Sequence, residues 1–327
     1  MVNEVLSRYS DWSFTTATAI YTLSMALYLV EQAFGRRHRV PVRASSRQLV
    51  AAGGGVLDEA EFEPEHAATS GAAADRSPAE RLGRMAVALT VLGSLLHLAS
   101  IVLRGLAVHR WPLGNMYEYI SFFGLVAVVS LLVMMRRFAV RRMAGWVLLP
   151  IVILLFADGT ALYTLAAPVQ PALQSYWITI HVTAAVLASG VLLIPGVASA
   201  MYLIRTAHER NSRRFARLAE RLPASDTLDQ VAYRATIFAF PLFTFGVICG
   251  AIWAESAWGS FWSWDPKETT AFVAWVVYAA YLHSRATAGW RGNRAAVINV
   301  VAFAVMIFNL FFINLVTTGL HSYAGVG

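Results

Sequence analysis

Eight apolar runs of about 20 residues recur near positions 13–34, 84–107, 116–135, 144–165, 178–204, 231–254, 269–287 and 295–316. As a helix, a run of that length crosses the ~30 Å hydrocarbon core of a bilayer. A backbone inside lipid must satisfy its own N–H and C=O groups, which an α-helix does within one segment. The pattern therefore predicts an all-α, polytopic integral membrane protein with about eight transmembrane helices. Composition agrees, with 57% hydrophobic and only 14% charged residues in 327.

Charge predicts how the helices are oriented. Eight arginines lie from Arg36 to Arg84, four in Arg136–Arg142, six in Arg205–Arg221 and three in Arg285–Arg294, with Arg234 at the start of the sixth run. That assigns 22 of 26 basic residues to alternate loops on one side, cytoplasmic by the positive-inside rule. Arg8, Arg104, Arg110 and Lys267 remain towards the other face. Eight spans then leave both termini extracytoplasmic, together with the loops 108–115, 166–177 and 255–268. Basic residues clustered between apolar runs in this way exclude a nucleic-acid-binding role for the net charge of +7. The opening segment lacks a small-x-small cleavage site and reads as a retained span, 1–34. Residues 35–82, with Gly53-Gly54-Gly55 and an acidic patch from Asp58 to Glu65, read as a disordered cytoplasmic linker. Residues 83–327 form the main membrane domain. Cys249 is the only cysteine, so no internal disulfide or Cys-x-x-Cys chemistry is available.

One loop stands out within 253–269. Trp258, Phe261, Trp262 and Trp264 fall beside the turn Asp265-Pro266-Lys267-Glu268, which holds the only lysine of the chain. Tryptophans also gather at membrane interfaces, but such a belt needs neither this spacing nor the adjacent charged turn. Large flat rings at this density predict a platform for a flat hydrophobic ligand.

The segment Trp-Gly-x-Phe-Trp-x-Trp-Asp-Pro-Lys-Glu resembles the tryptophan-rich (WWD) signature of haem-handling proteins of cytochrome c biogenesis, in particular the CcsA/ResC branch of system II, including its actinobacterial CcsB type. A second block from His109 to Glu118 is similar to the branch's His-x-Pro-x-x-Asn-x-Tyr-Glu segment, although Trp111 fills the place before the proline. His321-Ser322-Tyr323 matches its closing motif. The resemblance covers roughly 83–327. It implies a multi-pass protein of the bacterial plasma membrane that relays haem b to an extracytoplasmic site and presents it to the Cys-x-x-Cys-His of apocytochrome c. It further implies holocytochrome c synthase (haem lyase) activity together with a ResB-type partner, and a thiol reductase pathway supplying the reduced cysteines.

The histidines sort by the expected topology. His181 opens the fifth run and His321 follows the last, both on the side of the tryptophan loop, so both are candidate axial ligands for an outer haem iron. His283 lies ~14 residues into the seventh run, roughly 20 Å deeper at 1.5 Å per residue, and cannot share that iron. The resemblance implies that it binds haem within the membrane, with snorkelling beside Arg285 as the alternative reading. His109, Asn115, Tyr117 and Glu118 are carried over as a structural or haem-edge element, and Asp265, Lys267 and Glu268 as groups that orient the loop or meet the propionates. No separate catalytic residue is expected. His97, in mid-span, reads as packing. His38, His66 and His208 read as solvated. The competing functions are a system I-like haem chaperone or exporter without synthase activity, and a haem-binding electron-transfer protein of the membrane.

Overall fold

The computed structural model describes residues 2–34, 78–169 and 174–321. Most of the linker (35–77, with His38 and His66), part of the 166–177 loop, and Ser322 with Tyr323 lie outside the described residues. Nine helices are present among the described residues: α1 Glu4–Phe34, α2 Pro78–Val108, α3 Met116–Arg137, α4 Ala144–Ala161, α5 Tyr176–Arg210, the single turn α6 Ala216–Ala219, α7 Ser225–Trp258, α8 Pro266–Ala286 and α9 Asn293–Phe308. A π-helical turn, Asn309–Ile313, extends α9. Helix α2 starts five residues before the expected domain boundary at 83. Pro78 sets its first turn, where a proline loses no helical hydrogen bond, and Glu80 complements the helix dipole.

Seven of these nine helices, α6 and α8 excepted, are by length and composition able to cross a membrane, α4 together with the short turn before it. Helix α8 carries Lys267, Glu268, His283 and Arg285 and is less apolar, yet its neighbours make it traverse the bundle. Its first residues adjoin the segment that follows α9, through Asp265 and His321. Its last turn adjoins the start of α7, where Arg285 bonds Asp229 at 2.7 Å. At 1.5 Å per residue its 21 residues span about 31 Å. Among the described residues, eight helices therefore run from one end of the bundle to the other. Prolines 150, 195 and 241 lie inside α4, α5 and α7, as membrane helices tolerate.

The chain folds into two packed groups. Helices α1 and α2 are antiparallel, joined from Asn3 N–H to the Ala107 carbonyl at 2.9 Å and by hydroxyl contacts Ser10–Ser100 and Ser24–Thr90. With α3 and α4 they enclose a polar core. His97 is fully buried, 3.0 Å from the Ser121 hydroxyl through Nε2 and 3.5 Å from Tyr21 through Nδ1. Glu118, also buried, accepts from Arg104 Nε at 3.0 Å and from Arg110 at 2.7 and 2.9 Å. The Arg104 guanidinium lies 4.6 Å from the Tyr117 ring centre. Helices α5, α7, α8 and α9 form the second group, α5 bordering α3.

Candidate functional site

At the end of the bundle where α7 gives way to α8, the chain turns through the tryptophan loop. Gly259 terminates α7 with φ +74, the left-handed cap that glycine adopts without steric cost. The loop is then tied to the start of α8. Asp265 is the N-cap, its carboxylate accepting from Lys267 N–H at 3.1 Å, and Glu268 reaches back to accept from Asp265 N–H at 3.3 Å, a capping box with Pro266 at the first helical position. Glu268 also accepts from the Ser263 N–H and hydroxyl at 2.9 and 3.2 Å. Trp264 is thereby held at φ 60, a conformation uncommon for a bulky side chain.

The same Asp265 reaches across 56 positions of sequence. Its Oδ1 accepts from Leu320 N–H at 2.7 Å and its Oδ2 from His321 Nδ1 at 2.8 Å. A carboxylate can only accept, so Nδ1 carries the proton and Nε2 keeps its lone pair, the arrangement by which carboxylates orient metal-binding imidazoles. Burial pushes the His321 pKa below its ordinary value, and Asp265 pulls it partly back. The ring is therefore neutral at pH 7. It packs edge-on against Trp258 at 5.0 Å, and Trp258 in turn meets Trp253 at 4.7 Å.

His181 is set up in a parallel way on α5. Its Nδ1 donates to the Gly246 carbonyl at 2.7 Å, which again leaves the Nε2 lone pair. Gly250, one turn further along α7, makes the room, since a Cβ there would lie 2.6 Å from the imidazole. Small residues at such a crossing are how membrane helices approach closely.

Both histidines line one cavity of ≈ 270 Å³ between α5, α7, α8, α9 and the α2–α3 loop. Of the residues expected from sequence, Trp258, Phe261, Trp262, Lys267, Glu268, Asn115, His181 and His321 are on its walls. Asn115 is also the N-cap of α3, accepting from Glu118 N–H at 2.9 Å. Asp265 stands behind His321. Trp264 is exposed beside Trp262 at 5.8 Å. Tyr117 and Glu118 lie in the polar core of the first group, and His109, exposed at φ 52, ends α2; none of these three is on the cavity wall. His283 is exposed on the last turn of α8, at the opposite end of the bundle.

Several wall residues carried no assignment from sequence. Trp253 lies hidden in an apolar run. Asn309 and Asn314 are brought in by the π-helical turn, and Lys267 Nζ donates to Asn314 Oδ1. Arg110 also faces the cavity, but its N–H groups are committed to Glu118 and to the Ala167 and Trp111 carbonyls. It fastens the wall.

Fold and site together define a polytopic helical membrane protein with an aromatic cavity, flanked by two histidines, at one end. Residues 113–321 match the family described as cytochrome C assembly protein, and the chain belongs to that family. It is 34% identical over 276 residues to the cytochrome c biogenesis protein CcsA of Chlamydomonas reinhardtii, covering 81% of this chain and 76% of that one. It is also 34% identical over 280 residues to the protein of that name from Synechococcus elongatus, covering 69% and 85%. Among solved structures, the cytochrome c haem lyase CcmF superposes with a TM-score of 0.62 at 18% identity, covering 94% of this chain. This chain spans 46% of the length of that one, and the likeness is one of fold.

Proposed function

We propose that this protein serves cytochrome c maturation by binding haem between His181 and His321 and presenting it for covalent attachment to the Cys-x-x-Cys-His of an apocytochrome c. One observation carries the reading: two imidazoles in the same tautomer line one cavity walled by Trp253, Trp258 and Trp262. No cluster of three or more metal-binding side chains exists among the described residues. A metal held here by two protein ligands must bring its remaining ligands with it, as haem iron does. Attachment adds each substrate thiol across a vinyl group, forming a C–S bond while the thiol hydrogen goes to the other vinyl carbon, with no net oxidation. Positioning the ring and excluding oxidant are then the protein's tasks.

Basic residues gather at the end away from the cavity, which makes that end cytoplasmic by the positive-inside rule and the cavity extracytoplasmic. In a bacterium this membrane is the plasma membrane. A reporter active only outside the cytoplasm should work when fused after Gly327 and be silent when inserted at 211–214; the reverse pattern dismantles the export scheme. His283, exposed on α8, serves as an inner station for haem b, and its iron takes a second ligand from a ResB-type partner. A pure electron carrier fits less well, because His97 is engaged by protein through both ring nitrogens.

The decisive experiment replaces the ligands. His181→Gly and His321→Gly should each abolish the low-spin haem spectrum and cytochrome c yield, and added imidazole should restore part of both. Full maturation in either variant without imidazole removes the ligand assignment.

A further inference from the structure

The α1–α4 half holds an acid that the aromatic cavity does not use. Asp158, on the last turn of α4, is fully buried, and neither of its carboxylate oxygens has a hydrogen-bond partner. Tyr117 of α3 is the hub of its surroundings: Asp158, Asp11 of α1, Arg104 of α2 and Tyr163 just after α4 all act on it electrostatically. The other charges here are matched. Asp11 and Glu118 supply two negative charges and Arg104 and Arg110 two positive ones, with Arg104 Nη1 3.7 Å from Asp11 Oδ1. Ionised, Asp158 would be a third carboxylate against two guanidinium groups, with no donor on either oxygen. A buried charge without such partners costs far more than a neutral group in the same place. His97, deeper in the same half, is held by Ser121 and Tyr21. Arg104 opposes a metal cation at this position, and no group of three or more metal-binding side chains exists among the described residues. A proton neutralises Asp158 without any coordination shell.

We propose that Asp158 is a proton-binding site, loaded and unloaded from the cavity end of the bundle by way of Asp11 and Tyr163. Ionisable residues inside a membrane commonly mark such proton sites. Asp11 is the group with access to both sides. Its side chain is 29% exposed and its Oδ2 accepts from the exposed Tyr163 hydroxyl at 2.8 Å, while its Oδ1 is buried towards Arg104 without a hydrogen bond. The step is a simple acid–base exchange, in which the Asp158 O–H bond breaks and solvent takes the proton. That proton also decides what Arg104 does. With Asp158 neutral, Arg104 is left to Glu118, whose other oxygen accepts from Gly114 N–H and Arg110 of the cavity wall, each at 2.7 Å. With Asp158 ionised, its carboxylate competes for the same guanidinium, and Nη1, which has no hydrogen bond, is the donor it draws. The site is therefore linked to the cavity wall, yet it does not depend on what the cavity binds.

Infrared spectra of the full-length protein in detergent, with no haem added, read the proton directly. At neutral pH the wild type should show the carbonyl band of a buried carboxylic acid that shifts in heavy water, gives way to a carboxylate band in alkaline buffer, and is lost in Asp158→Asn. That variant reproduces the shape and charge of the neutral acid, so it should melt at the wild-type temperature. A spectrum in which Asp158→Asn removes a carboxylate band at neutral pH, with a clear drop in melting temperature, shows an ionised partner of Arg104 and overturns the proposal. Should Asp158→Asn fail to fold, Asp158→Glu supplies the same test, because a longer side chain must move the acid band, and an unmoved band overturns the assignment. A band that does not shift in heavy water overturns the exchange with solvent. Asp11→Asn should slow that shift, and an unchanged rate removes Asp11 from the route. A spectrum that responds to sodium ion at constant pH puts a metal cation, not a proton, on Asp158.

Discussion

His97 and His181 lie in different halves of the bundle, and the difference between them separates a structural group from a site. In the α1–α4 half, His97 has a protein partner at each ring nitrogen, and Glu118 balances two arginines. In the α5–α9 half, His181 spends one nitrogen on a backbone carbonyl and turns its ring to a cavity, while Lys267 has no carboxylate within ion-pair distance among the described residues. Both halves are built from the same residue types. What distinguishes the second is unused bonding capacity facing empty space. The first half is not wholly satisfied: Asp158 is fully buried with neither carboxylate oxygen hydrogen-bonded, and Asp11 Oδ1 and Arg104 Nη1 are buried without a hydrogen bond as well.

The comparison breaks most visibly through stability. Glu118→Ala removes the carboxylate shared by Arg104 and Arg110, whose side chains are 3% and 13% exposed, and leaves Arg104 only the more distant Asp11 at 3.7 Å. A loss of roughly 3–5 kcal/mol is expected, read as a drop in the detergent melting temperature. Lys267→Met should scarcely move it, and an equal loss in the two variants would erase the distinction between the halves.

Asp265→Asn comes next in size. It keeps an N-cap side chain but removes the charge that orients His321, and the expected cost is about 10- to 100-fold in haem affinity. An affinity within a factor of two of wild type would show that the tautomer is set elsewhere.

The smallest effect concerns pH. Because burial lowers the His321 pKa, proton competition for Nε2 begins only below the ordinary histidine value of about 6.5. Haem affinity should therefore stay flat from pH 8 to pH 6.5 and decline in more acidic buffer. A decline that starts near pH 7.5 would require a raised pKa and contradict the burial.

Much of this was legible in the sequence, for reasons that are local. A span needs only its own apolar residues, and the tryptophan loop announces itself by density. The convergence of His181 and His321 follows from counting spans, which places both at one end. What stayed hidden depends on partners far apart in the chain. Asp265 was expected to orient the loop or meet propionates, and its bond to His321 spans 56 positions. Tyr117 and Glu118 sit in the same motif as Asn115, yet Asn115 is the N-cap just outside α3 and lies on the cavity wall, whereas Tyr117 and Glu118 in the first turn of α3 are buried in the polar core. The π-helical turn has no periodic signature, and with it Asn309 and Asn314 went unassigned.

Helix α8 has a consequence for how the protein is made. Its polar and charged residues cap the loop and line the cavity at one end and bond Asp229 at the other, and together they leave it, among the described residues, the one crossing helix not apolar enough to pass as a span by composition. Such a segment partitions poorly from the translocon on its own, where each charged residue near the helix centre costs about 2.5–3.5 kcal/mol and less towards the ends. It integrates when α9, the most apolar of the spans, emerges behind it as the other arm of a hairpin. The cavity is therefore completed only after nearly the whole chain has been synthesised. Nascent chains released before α9 would hold the tryptophans, His181 and Lys267 but no closed pocket.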